Sequence, residues 1–170
     1  MKIKKDIFEH MGEYLLAVVL GLFLGTIIDI VTQSLVWHFF PKALACRIAE
    51  AAVCLLVLTA SICVTSGRIA YKKKRIDMPA TIFSLMPILC LQLLVAFAFQ
   101  FVSYASGAGY WIGVLFCHKG NGDSPYVHTP QAYFLLGMIV CMIVYTAAAC
   151  VAQYIGYKKR LKSRDKMLNN

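Results

Sequence analysis

The sequence predicts an all-α polytopic membrane protein, a bundle of four transmembrane helices. Three observations predict it. Of 170 residues, 60% are hydrophobic and only 15% charged, with mean hydropathy +0.70, whereas an average soluble domain is about 25% charged. Four apolar stretches are each long enough to cross a bilayer core of about 30 Å as a helix. Lys and Arg gather on one side of those stretches. A soluble fold this apolar would expose larger apolar patches than soluble monomers carry. The composition therefore excludes an ordinary soluble enzyme, a disordered chain and a disulfide-stapled secreted domain. The barrel pattern of alternating ten-residue strands is absent too.

The spans are expected at residues 14–39, 45–66, 81–104 and 131–156 of one membrane domain covering 1–170, with an outer loop at 105–130 and a basic tail at 157–170. In hydrocarbon each backbone N–H and C=O needs an internal partner, which makes each span a helix. The N-terminal side, the second connection and the C-terminal tail hold fourteen Lys and Arg residues, against three (Lys42, Arg47 and Lys119) on the other side. The positive-inside rule then places both termini in the cytoplasm of a multi-pass cell-membrane protein, which agrees with an even number of spans.

Span 1 is expected to be retained rather than cleaved, because Asp6, Glu9 and Glu13 precede it and no small-residue cleavage site follows closely. Ile3, Ile7 and Met11 lie four apart ahead of it, the pattern of an amphipathic turn on the inner surface. The span also carries Asp29, about 21 Å beyond Leu15 at the helical rise. A central aspartate costs roughly 2.5–3.5 kcal/mol on insertion scales. The thirteen Leu, Ile, Val and Phe residues from Leu15 to Leu35 return roughly 4–8 kcal/mol on the same scale, so the span inserts with Asp29 turned away from lipid. Gly21, Gly25, Asp29, Gln33 and Trp37 recur at spacing four. The glycines permit close approach of another helix, so packing face and acidic face coincide. Asp29 on that face reads either as a satisfied packing residue or as a proton or cation site. Its expected companions are Gln33, Glu50 near the outer end of span 2, and Gln92 and Gln100 in span 3. With no Lys or Arg deep in any span, Asp29 is expected in its neutral form, bonded to Gln33 or Gln100.

Spans 2 and 4 resemble each other. Residues 53–64 and 140–151 are identical at seven of twelve positions, and Ile69-Ala70-Tyr71-Lys72-Lys73 matches Ile155-Gly156-Tyr157-Lys158-Lys159. Two tandem two-helix hairpins related by an axis along the membrane normal would produce this, and so would apolar composition alone. Span 3 contains Pro87, a candidate kink.

The outer loop holds Tyr110-Trp111-Ile112-Gly113-Val114-Leu115-Phe116, too short to span and suited to an interfacial segment. Cys117, His118 and His128, with His38, match no standard zinc spacing, so neither metal nor cofactor is expected. Cys46 and Cys117 are a candidate disulfide, while Cys54, Cys63, Cys90, Cys141 and Cys150 act as small apolar residues within spans. The basic run Lys72-Lys73-Lys74-Arg75 and the basic tail suit an anionic inner leaflet rather than nucleic acid. No phosphate loop, His-Glu-x-x-His or Gly-x-Ser-x-Gly motif is present, so no enzyme is expected. The leading functional expectation is a non-catalytic membrane component, packing through Gly21 and Gly25 into a homo-oligomer or larger membrane complex. The alternative is a small transporter or channel with its acidic site at Asp29.

Overall fold

The structure, a computed structural model, describes residues 2–39, 43–98, 112 and 131–168. Four helices are long and apolar enough to cross a membrane. They are α1 (Lys2–Phe39), α2 (Ala43–Lys73), α3 (Met78–Ala98) and α4 (Gln131–Leu168). The protein is an all-α four-helix bundle that spans the membrane several times.

Cross-helix contacts fix the directions. Tyr14 meets Ser66 and Ala17 meets Ser61, so α1 and α2 are antiparallel. Cys63 and Ser66 meet Ala148 and Ala149, so α2 and α4 run parallel. Ser84 reaches Ile7, which puts the starts of α1 and α3 together. Lys2 and Leu168 therefore lie at one end of the bundle, the terminal end. Around the ring the order is α1, α2, α4, α3. An axis along the bundle relating two hairpins would put α1 opposite α3 and α2 opposite α4. Instead α1 packs on α3 and α2 on α4, and the α1–α2 contact is far more extensive than α3–α4. The matched segments of spans 2 and 4 lie abreast, but that twofold does not relate the halves.

The inside–outside distribution is that of a membrane bundle. Phe23, Leu56, Val64, Phe83, Leu94 and Ile143 face outward, each more than 60% exposed. Those faces would aggregate in water and match hydrocarbon. The interior joins Tyr14, Val18, Leu58, Ile62, Leu85, Leu89, Cys141 and Tyr145 to buried His10, Asp29, Ser66, Thr81, Ser84 and Gln153. Between lipid-immersed helices there is no hydrophobic driving force, so close packing and hydrogen bonds hold them together.

Two expectations about the ends change. The segment around Ile7 and Met11 is no separate surface turn: α1 is continuous from Lys2, and Met11 packs against the core. The charged network described below holds it upright. The tail after residue 156 remains helical to Leu168. The helix α3 runs through Pro87 without a break. The outer loop 105–130 lies outside the described residues apart from Ile112, as do Cys117, His118 and His128, so the disulfide and metal readings fall there too.

Candidate functional site

One face of α1 carries the site. His10, Tyr14, Ala17, Gly21, Gly25 and Asp29 follow at intervals of three or four, and each is buried. This is the predicted glycine and acid stripe, extended three steps toward the terminal end.

Its lower half is a hydroxyl ladder. Tyr14 donates to the Ser66 Oγ at 3.0 Å, and Ser66 donates to the Ala149 carbonyl at 2.7 Å, joining α1, α2 and α4. One turn up, Ser61 donates to the Ala17 carbonyl at 2.7 Å. The small side chains are what allow these bonds to reach a neighbour's backbone. At Gly21 a Cβ would lie 2.7 Å from Leu58 Cδ1 and 3.1 Å from Ser61 Cβ, so α1 and α2 touch there. At Gly25 a Cβ would meet only Val57 Cγ1, at 4.0 Å. The α1–α2 interface is thus tight at Gly21 and looser one turn nearer Asp29.

Asp29 is fully buried, with neither carboxylate oxygen hydrogen-bonded. Gln92 is buried on α3. The expected bond from Asp29 to Gln33 or Gln100 is not among those described: the Gln33 side chain and all of Gln100 lie outside the described residues, as do the side chains of Trp37, Cys46 and Glu50. Gln92 does not donate to Asp29, since neither carboxylate oxygen has a hydrogen-bond partner.

A second polar assembly occupies the terminal end, and it ties all four helices together. Gln153 of α4 donates to Thr81 Oγ1 on α3 and accepts the Asp77 N–H at 3.1 Å. Asp77 caps α3 by accepting the Ala80 N–H at 3.2 Å, and its other oxygen lies 3.0 Å from Arg75. Arg75 reaches Asp6 of α1 at 2.5 Å. Lys73 of α2 bridges Asp6 at 2.9 Å and Glu9 at 3.1 Å. Thus Lys73 and Arg75, read from sequence as lipid-facing cations, are engaged by acids of the same chain. Beneath this network His10 is buried, with neither ring nitrogen hydrogen-bonded.

His10, Tyr14, Ser66, Thr81, Ser84 and Gln153 were not singled out from sequence. Ser66 and Thr81 sit at the predicted span boundaries, where a polar residue reads as an end signal. His10 and Tyr14 carried a usable signal, since at eleven and seven residues before Gly21 they fall on the same helix face. No three His, Cys, Asp or Glu side chains converge as metal ligands among the described residues. Cys54, Cys63, Cys90, Cys141 and Cys150 form no disulfide.

Comparison with family models, curated proteins and solved structures finds no match to this chain.

Proposed function

We propose that the chain is a non-catalytic component of the cell membrane, with both termini cytoplasmic, which assembles with copies of itself or with another membrane protein. The observation that carries this reading is the filled interior. Leu58, Ile62, Leu85 and Leu89, each at most 1% exposed, pack inside the described part of the bundle, while its outward apolar faces stay free to associate. The glycine face is not the assembly surface, because Gly21 already packs on Leu58 and Ser61 within the chain. Association then uses the lipid-facing sides, where shape complementarity sets the strength. Arg68, Lys74, Lys158, Lys159, Lys162 and Arg164, unlike Lys73 and Arg75, have no ion pair among the described residues and suit an anionic leaflet. The test is purification in a mild detergent with the mass of the protein component measured by light scattering. A mass of two or more chains, or a stoichiometric membrane partner, is expected. A single chain alone at micromolar concentration overturns the reading.

Asp29 favours a second reading, a small transporter. A carrier built on this carboxyl shows pH-dependent flux in proteoliposomes that Asp29→Asn abolishes while the oligomer persists. A packing component shows no flux in either form.

A further inference from the structure

We infer that His10 makes the terminal end of the bundle a pH-sensitive clamp, in which uptake of a proton from water by the imidazole releases the start of α1 from its neighbours. The inference concerns the four helix ends around His10. It stands whether or not the chain assembles or transports.

Three observations carry it. The first is the ring itself: His10 is 1% exposed, and neither nitrogen has a hydrogen-bond partner. Buried polar groups are nearly always paired, so this exception asks for a cause. The second is its place. His10 lies between two residues that tie α1 to other helices: Ile7, whose carbonyl accepts from Ser84 of α3 at 3.1 Å, and Tyr14, which donates to Ser66 of α2. The antiparallel register set by Tyr14 with Ser66 and Ala17 with Ser61 brings Ile69 and Ala70 of α2 opposite His10, and both are buried. The third is what covers it. Lys73 bridges Asp6 and Glu9, and the side chains of Lys73 and Asp6 are 23% and 18% exposed. One layer of ion pairs therefore separates the ring from water.

The surrounding charges decide which form of the ring the closed clamp holds. On α1 the neighbours are Asp6, Glu9, Glu13 and Tyr14. Each acid is already engaged: Asp6 by Lys73 and Arg75, Glu9 by Lys73, and Glu13 by Lys72 at 4.0 Å. Asp77, in the turn before α3, faces Arg75. From α3 come Thr81 and Ser84, and from α4 Gln153, all uncharged. Thr81 accepts from Gln153, and Ser84 donates to the Ala80 and Ile7 carbonyls. The Cys150 thiol of α4 is within electrostatic reach of Tyr14. A protonated His10 would thus be a buried cation near Lys73 with no unengaged carboxylate to meet it, which costs far more than the neutral ring. In the released end His10 meets water, where an imidazole takes a proton near pH 6.5. The open state binds a proton that the closed state does not, so acid favours opening. For one such proton the ratio of open to closed rises about tenfold from pH 7.5 to 5.5. Carboxylates in water titrate below that window.

The test is amide hydrogen exchange read by mass spectrometry on the full chain in nanodiscs, at pH 7.5 and 5.5. Wild type and His10→Gln are compared at the same pH, so the intrinsic pH dependence of exchange cancels. In peptides from residues 2–14 the rate of wild type over that of His10→Gln is expected to be about tenfold higher at pH 5.5 than at pH 7.5. Over residues 139–150 of α4 the same ratio should not change with pH. An equal ratio at the two pH values in residues 2–14 overturns the proposal. So does a change of the same size in residues 139–150, because the whole bundle would then be loosening rather than one end. Should His10→Gln fail to fold, the wild type decides alone. Exchange of residues 2–14 relative to residues 139–150 of the same sample should rise about tenfold on acidification, and a constant value sinks the clamp.

Discussion

At the scale of single residues, the glycines divide into those that hold helices together and those that do not. A Cβ on Gly156 would collide with the Gly67 carbonyl and lie 2.8 Å from its Cα, so α4 and α2 meet backbone to backbone. Backbone cannot step aside as a flexible side chain can. Gly156→Ala is therefore expected to lower stability by roughly 1–3 kcal/mol. Gly12, on the same length of bundle, has nothing within 4 Å of its Cβ position. Gly12→Ala should raise stability by roughly 0.5–1 kcal/mol through helix propensity alone. Unfolding in mixed micelles of rising dodecyl sulfate fraction measures both, and equal effects would refute the distinction. From sequence the pair looks alike, because each glycine sits in a helix and its neighbour across the interface is unknown. Gly21 and Gly25 were legible as a packing face, since a four-residue interval keeps them on one side. That the face would be used inside the chain was not legible, because the interval does not say which helix it meets. Asp29 was legible for another reason: its insertion cost is high enough to force it inward whatever the tertiary arrangement.

At the scale of elements, existence and approximate position of all four helices followed from the solvent, because hydrocarbon leaves an apolar run few alternatives. Their true ends did not follow, since α1 and α4 continue beyond the apolar part into charged sequence, where propensity and ion pairing decide. The turn between α2 and α3 shows how such an end is made. Lys74 takes φ 57°, and its N–H closes on the Ala70 carbonyl at 3.1 Å. That left-handed position ends α2, and a residue with a Cβ pays for it. Lys74→Gly is expected to stabilise the protein by about 0.5–1 kcal/mol. Three residues on, Asp77 caps α3 through the Ala80 N–H. Asp77→Ala should cost about 1 kcal/mol, whereas Asp77→Asn keeps the cap and loses only the charge facing Arg75. The same micelle titration separates the two: a cap requires Asn to retain most of the stability, and a purely ionic role requires Asn to behave as Ala. The basic run was visible in sequence as a topology signal. Its engagement with Asp6 and Glu9 depends on α1 extending below the membrane, which composition alone does not reveal.

At the scale of the whole molecule, the interior has two unlike ends and an apolar middle. At the terminal end bonds join four helices above an unbonded His10, while among the described residues of the far end Asp29 is an acid without a hydrogen-bond partner. The terminal network is the part of this design most open to salt. Asp6 lies between Lys73 and Arg75, and through Arg75 and Asp77 the chain of contacts reaches Gln153 of α4. Removing Asp6 takes from Arg75 its described α1 partner and leaves Lys73 only Glu9, whereas removing Glu9 leaves both cations bound to Asp6. Asp6→Asn should therefore lower the unfolding midpoint more than Glu9→Gln does. It should also flatten the loss of stability with rising salt expected of the wild type, because ions screen exposed pairs over a Debye length of about 8 Å at physiological strength. The hydroxyl ladder above is out of water and should not respond. Tyr14→Phe, which removes the bond to Ser66, is expected to cost about 0.6 kcal/mol by the same amount at low and high salt. Midpoints of the three variants measured across a salt series make the comparison. A salt response in Tyr14→Phe that differs from wild type, or an unchanged response in Asp6→Asn, would show that the charged end does not act as the clamp that the contacts describe.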